Sequence, residues 1–219
     1  MYTTLVADLL KTPNAFLLIQ EAQVILNQEQ KRREAFYNEI TEQEKVEFIN
    51  GEIIVHSPVK KKHNDASSLL NCLLGVYVRK NKLGFVGYEK IMVRLTRNDY
   101  EPDVVFFRKD KADLFSPNQT LFPAPDLVIE VLSDSTEDKD RGIKFQDYEA
   151  HEVMEYWIID AENQVLEQYM LTSTGYELHL KSDNGYVKSV AVEGFSIPIE
   201  AIFNEATNLT TLQQLLSAE

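Results

Sequence analysis

Two acidic residues stand inside strongly apolar segments, and their side chains are the best placed to do chemistry. Glu130 lies within the segment Asp126–Leu132, between Ile129 and Val131. Asp103 follows Pro102 and opens the apolar run that ends at Phe107. An unpaired carboxylate inside a folded protein costs several kcal/mol, so each acid requires a salt bridge, a raised pKa or a metal ion.

Taken singly, either acid is best interpreted as part of a structural ion pair or as a turn cap. Two such acids on two strands of one sheet favour a divalent metal site. Mg²⁺ prefers oxygen ligands, and waters and substrate phosphate oxygens complete its shell. We therefore expect Asp103 and Glu130 to converge on one face of the sheet. Burial and the neighbouring charge should raise the pKa of Glu130, and Asp103→Asn should then stabilise the metal-free fold near neutral pH.

A lysine that could orient water or neutralise developing charge is absent from the Glu130 strand. Leu132 stands two residues after Glu130, on the same strand face, and cannot do this chemistry. The next candidate is Lys144, which shares one helical face with Asp140 and Tyr148 at spacings of four residues. The alternative is a surface pair between Asp140 and Lys144 with Tyr148 as packing, and helical spacing alone favours that alternative.

Turn signals predict the elements that lead up to these residues. Thr12–Pro13 has the form of a helix start, and helical character continues to about Ile40 as an exposed arm or a partner-facing helix pair. Thr41–Glu44 fits a capping box. Asn50–Gly51 follows closely and predicts a tight β-hairpin.

Hydrophobic periodicity predicts the other elements and the fold class. The predicted strands are 46–49, 52–55, 85–88, 91–95, 103–108, 127–132, 153–160 and 164–171, and the predicted helices after the arm are 62–82, about 135–150 and about 209–216. A further strand pair is predicted around Asn184–Gly185. This order indicates an α/β domain with a mixed sheet rather than a Rossmann alternation.

The charge balance limits the classes of partner. The chain of 219 residues has 22 basic and 35 acidic side chains, a net charge of −13, which argues against a broad basic face that coats nucleic acid. A metal-dependent nuclease stays compatible because its active site is itself acidic. Lys60, Lys61 and Lys62 form the best local candidate for phosphate contact, with a solubilising turn as the alternative.

Membrane insertion and disulfide chemistry are not expected. The longest uninterrupted apolar run is Ala15–Ile19, far short of the roughly 20 residues that span a membrane. The single cysteine, Cys72, cannot form an internal disulfide. We expect a cytoplasmic protein without a membrane partner.

At these motifs the sequence resembles the Uma family of restriction-endonuclease-like proteins, a branch of the PD-(D/E)XK nuclease superfamily. The resemblance spans about residues 45 to 171 and follows the order of the motifs. The matching segments are Glu47–Glu52, Ser57–Pro58 with His63, Pro102–Val104, Pro125–Ser133 with Ser135–Thr136, and Asp140, Lys144 and Tyr148 followed by Glu155–Asp160.

The resemblance implies a mixed central sheet flanked by helices, in a nuclease-like domain of residues 45–219. It is preceded by an N-terminal helical extension, residues 1–44, and carries an additional antiparallel hairpin. Asp103 and Glu130 are then the acidic pair that binds a divalent ion, Mg²⁺ or Mn²⁺. The superfamily's lysine normally stands two residues after the second acid, and Lys144 matches a lysine that has migrated to the downstream helix.

Two accessory residues also match the family pattern. Glu47 could be a third acid of the metal shell, or else an exposed strand residue. His63 could contact phosphate or reach the site, or else be a solvated histidine near a helix start. Tyr148 belongs to the same motif as Lys144.

These inferences predict a Mg²⁺-dependent DNA endonuclease. Asp103 and Glu130 hold the metal, activated water attacks a phosphodiester, and Lys144 supports the developing charge. A homodimer is expected because two strands require two cuts. One alternative is a binding module that retains the fold without cleavage, favoured by Leu132 and by the net charge. The other is a hydrolase of a small phosphorylated substrate.

Overall fold

The computed structural model describes residues 2–41 and 44–217. The helices are α1 (Tyr2–Leu10), α2 (Ala15–Glu39), α3 (Lys61–Asn81), α4 (Lys109–Ala112), α5 (Glu137–Asp140), α6 (Ile143–Ala150) and α7 (Glu205–Ser217). The strands are β1 (Val46–Ile49), β2 (Glu52–Val55), β3 (Gly84–Tyr88), β4 (Met92–Arg94), β5 (Asp99–Tyr100), β6 (Val104–Arg108), β7 (Leu121–Phe122), β8 (Leu127–Val131), β9 (Glu155–Asp160), β10 (Val165–Thr172), β11 (Gly175–Ser182), β12 (Tyr186–Lys188) and β13 (Ser196–Pro198). A 3₁₀ turn, Ile199–Ile202, precedes α7.

The strands form two large sheets and one small one. The central sheet has the order β11-β10-β9-β8-β6-β3, with β8 and β9 parallel and the other neighbours antiparallel. The second sheet has the order β2-β1-β5-β4-β7, in which β4 and β7 are parallel. β12 pairs only with β13, as a separate antiparallel pair. The predicted mixed α/β fold with an extra antiparallel pair is confirmed.

Side-chain alternation in β6 and β8 divides the interior into two cores. Val104 and Ile129 point into a core formed with α3, α7 and the β12–β13 pair. Val105 and Val128 point the other way, into a core that the second sheet and α6 also line. Glu130 lies two residues after Val128 in β8, so its side chain is on the same face of the strand. Its carboxylate therefore points toward the layer between the two sheets.

The N-terminal arm differs from the prediction at its first turn. Thr12–Pro13 lies between two helices, and α1, which the sequence patterns did not predict, precedes it. The Thr12 hydroxyl donates to the Leu9 carbonyl at 2.8 Å, so Thr12 closes α1 rather than starting α2. The capping box proposed for residues 41–44 includes Glu42 and Gln43, which lie outside the described residues.

Two other elements also depart from the prediction. The helix expected over 135–150 is broken into α5 and α6 at Gly142, whose backbone is not helical and approaches the Asp138 carbonyl closely. The strand pair expected across Asn184–Gly185 is wrong, because β11 completes the edge of the central sheet beside β10 and β12 turns to β13. Val187 of β12 is thereby buried in the core against α3.

Among the described residues, no helix combines the length and the apolar character that crossing a membrane requires.

Candidate active site

Asp103 and Glu130 face each other across two adjacent antiparallel strands. The ladder ends with the pair Val104 and Ile129, and Asp103 and Glu130 are the residues next to this pair on the two chain segments. Asp103 leaves the ladder there, and the Val131 amide donates to its Oδ2 at 2.8 Å. Both acids line one cavity of about 30 Å³. As predicted, the strands that carry the two acids are neighbours in one sheet, and both acids line the same cavity.

Asp103 is held by two cationic or potentially cationic side chains. Lys45 Nζ lies 2.7 Å from its Oδ1, and His63 Nε2 lies 3.3 Å from its Oδ2. Burial would raise the pKa of Asp103, but His63 and Lys45 outweigh burial and hold that pKa well below its usual range. Because the negative charge has these partners in the fold, the structure favours the opposite expectation for Asp103→Asn, a loss of stability in the metal-free protein.

Lys144 is the centre of a buried cluster of acids. Its Nζ lies 2.9 Å from Glu47 Oε1, 3.1 Å from Glu130 Oε1 and 3.1 Å from Asp140 Oδ1. The Tyr148 hydroxyl donates to the same Glu130 Oε1 at 3.1 Å. The Lys144 side chain is 2% exposed, so the interpretation of Asp140 and Lys144 as a surface pair is wrong. One ammonium serves three carboxylates.

Because one ammonium faces three carboxylates, the pKa values of the clustered acids shift in different directions. Burial raises the pKa of Glu130 to about 8, with the neighbouring acids adding to burial and Lys144 opposing it. Burial would also raise the pKa of Glu47, but Lys144 and His56 hold it at about 2. Burial would lower the pKa of Lys144, yet the surrounding carboxylates keep it well above its usual range. The predicted rise for Glu130 is confirmed.

Glu47 reaches the cluster because the β1–β2 hairpin fixes its register. Asn50 and Gly51 adopt φ values of 51° and 83°, as the tight turn requires. Glu47 is fully buried, and its Oε2 lies 3.0 Å from His56 Nε2. The interpretation of Glu47 as an exposed strand residue is wrong, since β1 is covered on both faces.

Lys45 and His56 are site residues that sequence reasoning missed. The His56 amide donates to the Lys45 carbonyl at 2.9 Å, so the two residues continue the hairpin ladder beyond β1 and β2. The signals were present in the sequence: Asn50–Gly51 sets Lys45 opposite His56, and strand alternation puts Lys45 on the face of Glu47.

His63, Lys60 and Lys62 line a larger cleft that adjoins the cavity. His63 is buried near the start of α3, so its interpretation as a solvated histidine is wrong. Among described residues, its Nδ1 has no hydrogen-bond partner. The cleft has a volume of about 410 Å³, and its walls include Lys60, Lys62 and Ser133.

The three lysines predicted to contact phosphate all form exposed ion pairs. Lys60 Nζ lies 2.7 Å from Asp134 Oδ2, and Lys61 and Lys62 pair with Asp65 and Glu162. Exposed pairs of this kind contribute little to stability. A phosphate could therefore replace the carboxylate at Lys60 or Lys62 with little loss of stability. Lys61 is not part of the cleft wall.

The acids at the cavity offer oxygen donors. Within residues 2–41 and 44–217, no group of three or more His, Cys, Asp or Glu side chains is arranged to hold a metal ion. Asp103 and Glu130 are the two carboxylates that line the small cavity. Mg²⁺ uses one or two carboxylates and completes its shell with waters and phosphate oxygens. The cavity is also larger than the roughly 10–15 Å³ that one water requires.

Comparison with known proteins agrees with this geometry. The model of the Uma2 family, described as "Putative restriction endonuclease", matches residues 32–200. The chain belongs to the Uma2 family. The match includes every predicted site residue from Glu47 to Tyr148, together with Lys45 and the last eight residues of α2.

One sequence relative and one solved structure are also similar to this chain. A protein of Synechocystis sp. (strain ATCC 27184 / PCC 6803 / Kazusa), named "Uncharacterized protein slr1290", is 32% identical over 148 residues, which cover 66% of this chain and 70% of that protein. The crystal structure titled as a putative nuclease belonging to DUF820, from Anabaena variabilis ATCC 29413, superposes with a TM-score of 0.67 at 18% identity. It covers 81% of this chain and 96% of the other. The restriction-endonuclease-like fold of this Uma2 protein is thus established.

Proposed function

We propose that this protein is a metal-dependent endonuclease that hydrolyses phosphodiester bonds in DNA. The observation that carries the proposal is the placement of Asp103 opposite Glu130 on one small cavity, with an ammonium group beside each acid. Membership of the Uma2 family supports the same reaction class. Mg²⁺ or Mn²⁺ is the ion that the donor set fits.

Asp103 and Glu130 would hold the ion between them. When bound, the ion supplies Lewis-acid polarisation of a phosphoryl oxygen and lowers the pKa of water. Lys144 and Tyr148 both contact Glu130 Oε1, which leaves the orientation of this carboxyl fixed before an ion arrives. Glu47 in turn holds Lys144.

The two lysines at the site are placed for different tasks. The Lys45 side chain is 26% exposed, so it can meet both Asp103 and an incoming phosphate. Lys144 is enclosed by carboxylates and acts as a positioning residue for Glu130 rather than as a substrate contact. Lys60 and Lys62, on the cleft wall, would exchange their carboxylate partners for backbone phosphates of the nucleic acid.

A small phosphorylated molecule is the second candidate substrate. The cleft volume of about 410 Å³ lies within the roughly 300–1,000 Å³ of small-molecule sites. The net charge of −13 also weakens long-range attraction to a polyanion. Both candidates share the same cavity and the same metal, so a substrate panel separates them.

The test is cleavage of plasmid, linear single-stranded DNA and small phosphate esters, with Mg²⁺, with Mn²⁺ and with chelator. We expect metal-dependent DNA cleavage that Glu130→Gln abolishes, since the amide keeps the Lys144 and Tyr148 contacts but loses the charge. Asp110→Asn is the matched control, because Asp110 is exposed and follows β6 at the end opposite to Asp103. DNA binding without cleavage would identify the binding module instead. Cleavage of small esters alone would identify the second candidate.

A further inference from the structure

The N-terminal arm carries an apolar surface that nothing in the described chain covers. Nineteen large apolar side chains are exposed among the described residues, and ten of them lie between residues 5 and 26. Each of these ten exposes between 39% and 70% of its area. We call this set of side chains, on α1 and the first half of α2, the arm surface. Isolated exposed apolar side chains are ordinary, but such a concentration marks an interaction site.

Only the second half of α2 is attached to the rest of the protein. Arg33 Nε lies 2.6 Å from Asp99 Oδ2, and the ring of Phe36 packs against that of Phe48 at 5.6 Å between centroids. Leu18 and Ile25 precede Phe36 by close to whole helical turns, so they lie on the same face of α2. The face of α2 that is buried from Glu29 onward is therefore exposed to solvent in the first half of the helix.

We infer that a second copy of this chain covers the arm surface. The exposed apolar side chains of α2 lie on all sides of the helix, including the four consecutive residues Phe16–Ile19, and a helix that is apolar all round is normally buried on several sides. Their summed exposed area, with that of α1, is on the order of 1,000 Å², which is comparable to the ~800 Å² per partner of a standard interface.

The charge distribution selects a second copy over a phosphate-rich partner. Residues 2–28 contain three charged side chains, Asp8, Lys11 and Glu21, and the first two pair with each other at 2.9 Å. Each copy has a net charge of −13, so the other surfaces of two copies repel each other. The arms contain few charged side chains, so this repulsion is weak where they would meet. A membrane-surface helix or a nucleic-acid contact would need several basic residues, and this stretch has Lys11 alone.

The experiment measures the mass of the full-length protein by light scattering and sedimentation over a wide concentration range, without metal or DNA. We expect about twice the 25.2 kDa of one chain. The double variant Leu18→Glu/Ile25→Glu places like charges in the contact and should raise the dimer dissociation constant by on the order of 100-fold or more. The control Gln213→Glu/Gln214→Glu adds the same charge at exposed positions of α7, outside the arm surface, and should remain dimeric. Glutamate is a good helix former, so circular dichroism should match for all three proteins.

Each contrary result overturns the inference. A wild-type protein that stays monomeric at the highest concentration has no such interface. A Leu18→Glu/Ile25→Glu protein that dimerises as tightly as wild type pairs through another surface. Flotation of a monomeric wild type with phosphatidylcholine vesicles would replace the second copy with a lipid surface. None of these readouts depends on nuclease activity, so the outcome is independent of the proposed function.

Discussion

Asp103, immediately before β6, and Glu130 of β8 line one cavity, but their pKa values are shifted in opposite directions. Asp103 has Lys45 and His63 beside it, and its pKa lies well below the usual range. Glu130 shares one ammonium with two other acids, and burial raises its pKa to about 8. The pair thus contains one carboxylate that is already charged and one that becomes charged when further positive charge arrives.

Binding of Mg²⁺ or Mn²⁺ should therefore release a proton from Glu130 below about pH 8. Because the ion must displace this proton, the apparent affinity should rise as the pH increases through the folded pKa and then level off. Isothermal titration calorimetry in buffers of different ionisation enthalpy measures the number of protons released. We expect close to one proton near pH 6 and almost none near pH 9.

The Glu130→Gln variant is the control for this proton release. It should bind the ion weakly, and its residual affinity should lose the pH dependence. Binding to wild type that releases no proton near pH 6 would show that Glu130 is not a protonated ligand: either its pKa is not raised or it does not bind the ion.

The stability of the metal-free protein should fall as the pH rises from about 4.5 to about 8. In this window folded Glu130 keeps a proton that the unfolded chain has released, so the folded state binds more protons. The contribution is fully present below the unfolded pKa and is lost as the pH passes the folded one. Glu130→Gln should remove this slope, and its stability relative to wild type should improve by up to about 1.4 kcal/mol per pH unit across the window.

Urea denaturation at several pH values checks this prediction. Glu193→Gln, a substitution at an exposed glutamate, should retain the wild-type slope. Parallel pH profiles for wild type and Glu130→Gln would exclude a raised pKa at this position.

Asp103→Asn should destabilise the metal-free protein. The substitution removes the charge that Lys45 contacts and keeps at most the bond from the Val131 amide. A hydrogen bond to a charged group contributes roughly 1.5–3 kcal/mol, and partial exposure of Lys45 places the expected loss near the lower end. Denaturant midpoints at neutral pH measure it, and an increase in stability would reject Lys45 as a partner of Asp103.

The acidic pair could be predicted from the sequence because its signal is local. A charged carboxylate inside the buried strand Leu127–Val131 needs a partner that offsets its desolvation. Strand alternation alone predicts on which face of the sheet its side chain lies. The Asn50–Gly51 turn similarly fixed the β1–β2 register. The break at Gly142 and the pairing of β12 with β13 depend on tertiary packing, which periodicity does not report.

The pairing of the cations with the acids could not be predicted in the same way. Lys45 precedes Asp103 by 58 residues, and only the packing of the second sheet on the central one brings them together. Helical spacing correctly joined Asp140 and Lys144 but favoured a pair on the surface, whereas both side chains are buried. The burial of this pair follows from Glu47, which β1 contributes from the other sheet.

Lys144→Met should be strongly destabilising rather than a selective loss of turnover. It leaves Glu47, Glu130 and Asp140 buried without their ammonium, and breaking a buried pair costs roughly 3–5 kcal/mol. Adding Glu47→Gln should restore part of the loss, because Glu47 is the acid that Lys144 holds ionised. A double-mutant cycle in urea measures this coupling. Additive losses would show that the two residues are independent.

Lys45→Ala should reduce turnover while leaving the fold and metal binding in place. The Lys45 side chain is partly exposed and His63 still contacts Asp103, so the loss of the ion pair should cost roughly 1.5 kcal/mol, as for Asp103→Asn. Metal affinity should stay the same or increase, since the substitution removes a cation that competes for Asp103. If Lys45 neutralises charge on the reacting phosphate, turnover should fall roughly 10²–10³-fold, the usual effect of one electrostatic group. Lys45→Arg should restore it only partly, because the planar guanidinium is larger than the ammonium.

Lys60→Ala is the matched control for Lys45→Ala. Lys60 is an exposed lysine of the cleft wall and also pairs with an aspartate, but it stands outside the small cavity. We expect its loss to weaken substrate binding, as a higher KM, with little change in kcat. Calorimetric Mn²⁺ affinity and the kcat of plasmid cleavage, measured for both variants, separate the two roles. Equal kcat values for Lys45→Ala and wild type would assign Lys45 to structure alone, and catalysis would then depend on Asp103, Glu130 and the metal.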